Sequence, residues 1–386
     1  MKKIVILGST GSVGTNALRV IAKEIGAFRV VGLTAHSNVR LLAAQAKRFR
    51  PRLLALGDAS RYNELKRALK KPQKVLKGIE GISEVASMKE ADIVLVAISG
   101  TSAILPLISA IRAKKQIALA NKESIVSAGK IIMNMARSRN VKIIPVDSEH
   151  NSIFQCINER DKRDINKIFL MGTGGPLKNI SRNIFDKLKR SSILAHPVWK
   201  MGKKISVDSA TMMNKGLEVI EASHLFNADV SKIEILLHPE AVIHSMIEFA
   251  DGNIIANLFY PDMKLPIFHA LNYPERRASR LPRVDFSKLK NVSFQIPDRR
   301  KFPSLGLCYK VAKAGGTYPA CLNSANEQAV GLYLEKKLNL TGIVDIVKKV
   351  LSRHKNIAQP SLDEILYVDK WAKEEVNKLS SLLQAR

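Results

Sequence analysis

The sequence is sparing with several residue types at once. Cysteine occurs three times in 386 residues, at Cys156, Cys308 and Cys321, an odd number without metal-ligand spacing. That excludes a disulfide framework and a cysteine-built zinc module, and it points to reduced thiols in a cytoplasmic protein. No apolar stretch reaches the roughly 18 residues that a membrane-spanning helix needs, so no membrane partner is expected. The apolar run Ile4–Leu7 is stopped by Gly8 and is too short for the core of a secretion signal. Aromatic residues make up 5% of the chain and two are tryptophan, which leaves no platform for stacking nucleobases. Acidic residues are scarce too: there are 34 Asp and Glu against 62 Lys and Arg, for a formal net charge of +28.

A charge of that size raises two readings. One is nucleic-acid binding. The other is a basic surface around anionic substrates, on top of a general bias towards lysine and arginine. Residues 1–147 hold 26 basic against 9 acidic side chains, most densely from Arg40 to Lys77. There the basic residues sit at helical spacing among leucines and alanines, the pattern of a solvated helix face. No nucleic-acid-binding module accompanies them, so the expected partner is a small molecule and not a nucleic acid.

What is present is a chain long enough for two or three domains, with an ordinary globular balance of 46% hydrophobic and 25% charged residues. Strand and helix signals alternate first. Strands are predicted over Lys3–Leu7, Arg29–Thr34, Leu53–Leu56, Ile93–Ala97, Gln116–Ala120 and Lys142–Val146, with helices over Asn16–Ile25, Asn38–Phe49, Pro106–Ala113 and Ser127–Arg137. That alternation implies an α/β fold with a Rossmann-like, doubly wound parallel sheet over residues 1–147. Residues 148–275 change character, with strands at Lys167–Met171, Ile233–Leu237, Val242–Phe249 and Ile254–Tyr260, the last two flanking a hairpin signal at Asp251-Gly252. This reads as a central α+β domain. Residues 276–303 read as a linker, and 304–386 as a C-terminal helical domain with breaks near Gly315-Gly316, Asn339 and Pro360.

Four segments carry chemistry. Gly8-Ser9-Thr10-Gly11-Ser12-Val13-Gly14 follows the first strand and opens a helix. Glycines there permit a tight turn and close approach of a pyrophosphate to the helix N-terminus. The alternative is a turn that binds nothing. After the second strand, Thr34-Ala35-His36-Ser37-Asn38 contains no acid and Arg40 is nearby, which favours NADP over NAD. Next, Val146-Asp147-Ser148-Glu149-His150-Asn151 ends a strand. Two carboxylates two residues apart on extended backbone would share a side and suit a hard divalent cation, whereas the same spacing at a helix N-terminus would be ordinary capping. Finally, in Ser206–Glu218, a helix from about Thr211 would place Asn214, Lys215 and Glu218 on one face, either as a binding cluster or as a surface ion pair.

The stretches GSTGSVG (Gly8–Gly14), ANKES (Ala120–Ser124), PVDSEHN (Pro145–Asn151), HPVWKMG (His196–Gly202) and KISVDSATMMNKGLE (Lys204–Glu218) together resemble 1-deoxy-D-xylulose 5-phosphate reductoisomerases. HPEAVIHS (His238–Ser245), PDMKLP (Pro261–Pro266) and LNSANE (Leu322–Glu327) extend the resemblance in order along nearly the whole chain. The resemblance implies an NADPH- and metal-dependent enzyme that rearranges and reduces 1-deoxy-D-xylulose 5-phosphate to 2-C-methyl-D-erythritol 4-phosphate, with Mg²⁺, Mn²⁺ or Co²⁺ as the metal, and a homodimer. It implies Asp147, Glu149 and Glu218 as metal ligands and Lys122, Glu149, His196 and Trp199 as catalytic residues. Substrate contacts would come from Lys122, Ser148, Glu149, Thr173, His196, Ser209, Asn214, Lys215 and Glu218. Cofactor contacts would come from Thr10, Gly11, Ser12, Val13, Ser37, Asn38, Asn121, Glu123 and Gly202, with Met201 near the nicotinamide. A loop from about Gly172 to Lys203, carrying His196 and Trp199, would close over the site.

Read singly, Trp199 is also compatible with plain core and His196 with a structural loop residue. His238 and His244 suggest zinc at first sight, but no third ligand stands at zinc spacing. The sequence departs from the family's habits at Thr173 for serine, at Glu240-Ala241 for Gln-Ser, and at Ser37 for a basic residue. A homoserine-dehydrogenase-like oxidoreductase would share the first domain, but it would not require Asp147, Glu149 and Glu218 together with the NKGLE cluster.

Overall fold

The computed structural model describes residues 1–69, 73–157, 164–199 and 201–384. By their contacts these fall into two units. One contains Met1–Ser124, Ile132–Asn151 and Asp262–Pro282; the other contains Ile125–Ile131, Ser152–Pro261 and Arg283–Arg386.

The first unit is built on β1 (Lys2–Leu7), α1 (Ser12–Lys23), β2 (Phe28–Ala35), α2 (Val39–Phe49), β3 (Leu53–Leu56), α3 (Tyr62–Ala68), β4 (Lys74–Lys77), α4 (Gly78–Ala86), β5 (Ile93–Val96), α5 (Ile104–Arg112), β6 (Gln116–Leu119), the two ends of α6 (Lys122–Ser138), β7 (Ile143–Pro145) and the start of α7 (Ser148–Ile157). The seven strands form one parallel sheet in the order β4-β3-β2-β1-β5-β6-β7. Ile4–Leu7 and Ile93–Val96 are buried throughout, as strands covered on both faces must be. The strand order reverses between β1 and β5, which makes the crevice beyond their carboxyl ends the natural ligand position of such a sheet.

The sequence reading omitted β4, α3 and α4. Lys74–Lys77 is an edge strand with Val75 as its buried residue, and α4 carries two glycines, so neither gives a clean periodic signal.

The second unit holds β8 (Ile165–Gly172), α8 (Arg190–Leu194), α9 (Lys203–Ala210), α10 (Met213–Phe226), β9 (Ile233–Leu237), β10 (Ile243–Phe249) and β11 (Ile254–Leu258). Its sheet runs β11-β10-β8-β9, with β10 antiparallel to both neighbours and β8 parallel to β9. A parallel pair needs a crossover, and α8–α10 supply it. α11 (Lys264–Asn272) returns to the first unit, where it packs on α1; the Lys2 ammonium donates to the Asn272 and Tyr273 carbonyls, both at 3.1 Å.

The second unit ends in α12 (Pro303–Ala314), α13 (Tyr318–Leu334), α14 (Leu340–Arg353) and α15 (Leu362–Gln384). The expected breaks coincide with these ends. Gly315, at φ +63°, stops α12, and the Asn339 side chain caps α14 by accepting from Gly342 N. Ile343, Val344, Ile346, Val347, Val350 and Leu351 of α14 are buried at helical spacing, each contributing about 1.5–3 kcal/mol. Among the described residues, no helix is long and apolar enough to cross a membrane.

Candidate functional site

In the first unit the glycine turn sits at the switch point. Gly8 has φ +79°, and a Cβ there would lie 2.5 Å from the Ala97 carbonyl oxygen after β5. A Cβ on Gly14 would lie 2.3 Å from the Gly8 oxygen. Both positions therefore exclude any side chain. Gly11 caps α1 without a side-chain hydrogen bond, and the first turn of α1 has no acid, which leaves an anion-favouring helix end framed by Thr10, Gly11, Ser12 and Val13. The turn is fixed to β2 and α2. Gly8 N donates to Thr34 Oγ1 at 3.0 Å and Ser9 N to the Thr34 carbonyl at 2.8 Å. The buried Gln45 amide accepts from Ser9 Oγ at 2.7 Å and donates to the Ser9 carbonyl at 2.9 Å. Sequence reasoning missed this clamp, because Gln45 looks like any polar residue of a helix.

Past β2, His36 and Asn38 are exposed and Ser37 is half-buried; Asn38 caps α2 by accepting from Leu41 N. The Arg61 guanidinium donates to the Ser37 carbonyl, a contact no motif signals. Further along the same edge, Asn121 caps α6 through Ser124 N at 2.9 Å. Its amide donates to the Ile98 and Gly100 carbonyls and to Glu123 Oε2. The next residue, Lys122, is buried and pairs with Asp147 at 2.8 Å.

Of the two conformations open to Asp147 and Glu149, the helix start is the one that forms. β7 ends at Pro145, and Glu149 lies in the first turn of α7. Asn151 N donates to the Asp147 carbonyl, which makes Asp147 the residue that starts the helix. Carboxylates are favoured at that helix end by its partial positive charge, and this decides between the two conformations. Burial pushes the Asp147 carboxyl up, but the Lys122 ammonium, His150 and hydrogen bonds outweigh it and hold the group well below the usual carboxylate range. Ser148 Oγ donates to Glu149.

The second unit carries a different kind of site. After β8, Gly174 (φ +84°) and Gly175 (φ +63°) turn the chain so tightly that a Cβ on Gly175 would meet the Ser209 carbonyl at 2.6 Å. A Cβ on Gly172 would meet the Lys215 side chain at 3.0 Å. Thr173, Ser209 and Lys215 are thereby gathered around one loop. Met212, at φ +59°, separates α9 from α10, and this break starts the helix that carries Asn214, Lys215 and Glu218. The Lys215 ammonium donates to Glu218 at 2.6 Å with both side chains buried, and the Asn214 amide donates to the other Glu218 oxygen. The ion pair is thus a buried one, and the solvent-facing alternative is set aside.

His196 and Thr173 lie 3.2 Å apart, Nε2 to Oγ1, and the His196 Nδ1 accepts from Val198 N and Trp199 N. The neutral ring therefore carries its hydrogen on Nε2 and presents it to Thr173. Burial, helped by the Lys215 charge, pushes His196 down to about 4. Trp199 is half-buried with its ring 6.3 Å from that of His244, Met201 is half-buried, and Gly202 caps α9. Lys200 of the same loop lies outside the described residues. His238 uses both ring nitrogens on its neighbours, Nδ1 towards the Ser293 carbonyl and Glu240, Nε2 accepting from Val242 N and Ile243 N. Glu240 in turn accepts from Ser293 Oγ at 2.7 Å, a structural role for that departure from the family's habit.

The doubly wound parallel sheet and the glycine turn at its switch point together define a dinucleotide-dependent oxidoreductase of the α/β class. Comparison with known proteins narrows this. Family models described as 1-deoxy-D-xylulose 5-phosphate reductoisomerase match residues 4–129, and those of its C-terminal domains match 143–226 and 258–375. The reductoisomerase of Thermoanaerobacter pseudethanolicus is 44% identical over 98% of this chain and 99% of its own length, and that of Thermodesulfovibrio yellowstonii is 45% identical over 98% and 99%. The solved Zymomonas mobilis reductoisomerase in complex with NADPH superposes with a TM-score of 0.91 at 40% identity, covering 98% of this chain and 99% of that one. A reductoisomerase in complex with NADPH, fosmidomycin and magnesium superposes with a TM-score of 0.94 at 36% identity, covering 100% and 99%. The chain belongs to the 1-deoxy-D-xylulose 5-phosphate reductoisomerase family.

Proposed function

We propose that this enzyme converts 1-deoxy-D-xylulose 5-phosphate to 2-C-methyl-D-erythritol 4-phosphate with NADPH and a divalent metal. The observation that carries the reading is the Asn214-Lys215-Glu218 face, with Lys215 and Glu218 buried, set beside the Gly172–Gly175 turn on a chain of this family. NADPH fits the first unit. The glycine turn is a cradle that a Cβ would fill, the helix end lacks an acid, and no carboxylate follows β2 to repel a 2′-phosphate. The proposed contacts are Thr10, Gly11, Ser12, Val13, Ser37, Asn38, Asn121, Glu123 and Gly202, with Met201 beside the nicotinamide.

A hard divalent cation fits the chemistry of Asp147, Glu149 and Glu218, three carboxylates of which Asp147 is held ionised and Glu218 is buried. These three would hold Mg²⁺ or Mn²⁺, with Co²⁺ a further candidate. When bound, the cation supplies Lewis-acid polarisation of the substrate's carbonyl and hydroxyl oxygens. Lys122 adds positive charge to the same oxygens, and Ser148 and Glu149 bind the substrate's hydroxyls. Thr173, Ser209, Asn214 and Lys215 bind the phosphate, which does not react, and the energy so gained positions the carbons that do. His196, neutral at physiological pH, donates from Nε2, and with Trp199 it belongs to the segment that keeps water from the reacting fragments. We assign the cofactor to residues 1–147 and catalysis and homodimer formation to 148–275, in a cytoplasmic enzyme.

The test is NADPH oxidation on addition of 1-deoxy-D-xylulose 5-phosphate, with and without Mg²⁺ or Mn²⁺. Substrate- and metal-dependent oxidation is expected. Full activity in excess chelator would show that the carboxylates serve some other end.

A further inference from the structure

The cofactor reading leaves open which side chain meets the 2′-phosphate that distinguishes NADPH from NADH. We infer that Arg61 supplies that contact and sets the enzyme's cofactor preference. In a doubly wound sheet the ribose 2′ position lies at the carboxyl end of the second strand. Here that end is Ala35, followed by His36-Ser37-Asn38, and Ser37 carries no charge of its own. Arg61 comes from the short turn Ala59–Arg61 after β3, the strand hydrogen-bonded beside β2. The backbone draws that turn onto the end of β2: Gly57 N donates to the Ala35 carbonyl and Asp58 N to the His36 carbonyl at 2.8 Å.

The guanidinium is then held in place from two sides. Its Nη1 donates to the Ser37 carbonyl. Its Nε and Nη2 donate to the two oxygens of Glu64, at 2.8 and 2.7 Å. Of the five N–H donors of an arginine, three are so used, and two remain for a ligand at the Ser37 main chain. A planar, pre-oriented guanidinium suits a phosphate, which can accept both. The two acids of this corner are already engaged, Glu64 by Arg61 and Asp58 by the N–H and hydroxyl of Ser60, so neither stands as a free carboxylate against a 2′-phosphate. A second cation near this end, Arg40, is exposed in the first turn of α2.

The inference rests on the proposal that the first unit binds NADPH, and the experiment separates the two. NADPH and NADH are each titrated calorimetrically into the wild type, Arg61→Ala, Arg61→Lys and Arg40→Ala. The wild type should bind NADPH more tightly than NADH. Arg61→Ala should weaken NADPH by about 10- to 100-fold, the worth of hydrogen bonds to a charged group, with NADH affinity kept. Arg61→Lys should recover part of the loss, and Arg40→Ala should keep most of the preference. Undiminished NADPH affinity in Arg61→Ala overturns the assignment, as does an equal loss for both cofactors, or a preference that disappears in Arg40→Ala instead. A wild type that binds both cofactors equally, or neither, overturns the NADPH reading along with it.

Discussion

On the proposed function, the two units hold their anions in opposite ways. The first uses main chain: Gly8, Gly11 and Gly14 clear the space, and the end of α1 offers N–H groups and a dipole. The second uses side chains: Lys215, buried, and Asn214, half-buried, are carried on α10 and both donate to Glu218, beside a glycine turn that brings Thr173 and Ser209 to them. A main-chain site is insensitive to most substitutions but intolerant of any Cβ at its glycines. A side-chain site keeps its backbone under substitution and loses its charge at once. The two should therefore fail differently and separately.

The largest expected effect is at the second unit. Lys215→Ala should cost about 2–5 kcal/mol in kcat/KM for the sugar phosphate, because a phosphate would be left without its cation and the buried Glu218 would lose its ion pair. Thermal melting of the same variant checks how much of the loss is structural. Unchanged kinetics would remove Lys215 from the phosphate site. Next comes Glu218→Gln, which should lower turnover by on the order of 100-fold or more and weaken Mn²⁺ in proportion, while NADPH binding stays. Retained Mn²⁺ affinity would contradict the ligand assignment.

At the first unit, Gly14→Ala forces a Cβ into the Gly8 carbonyl, an overpacking cost of about 1–3 kcal/mol that should appear as weaker NADPH binding. Full NADPH affinity in this variant would mean that the turn is scaffold only.

The smallest effect concerns the His196 loop. Its folded value of about 4 lies below the ordinary 6.5, so between those values the opened loop takes up a proton that the folded loop does not. Stability of the folded loop should thus be complete above pH 6.5, fall as the pH drops towards 4, and level off below it. Hydrogen exchange at Val198 and Trp199, whose N–H groups rest on His196 Nδ1, reads this directly once corrected for the intrinsic pH dependence of exchange. Protection that does not change across that range would show that His196 does not hold the loop.

The difference between the units also explains what was legible in the sequence. Main-chain sites write themselves in glycine spacing and strand–helix alternation, so the turn at Gly8–Gly14, the parallel sheet and the helix breaks at Gly315, Asn339 and Pro360 were all readable. The side-chain cluster at Asn214-Lys215-Glu218 was ambiguous on spacing alone, because i, i+3 and i, i+4 pairs also decorate exposed helices. Only burial distinguishes the two cases, and burial comes from tertiary packing. Asp147 and Glu149 were ambiguous for a related reason: the β-branched run before them suits continued strand and their spacing suits a helix start, and it is the helix α7 that forms. Gln45 and Arg61 left no mark at all, since each acts through a main-chain partner far away in sequence. Nor does anything in residues 262–282 announce that α11 packs beside α1.

On the proposed function, cofactor and metal are held by separate devices, one of main chain and one of carboxylates. Crossed calorimetric titration of NADPH and Mn²⁺ into Gly14→Ala and Glu218→Gln tests it most directly. Gly14→Ala should lose NADPH affinity and keep Mn²⁺, and Glu218→Gln should lose Mn²⁺ and keep NADPH. Loss of both ligands in either variant, with the melting temperature unchanged, would contradict it.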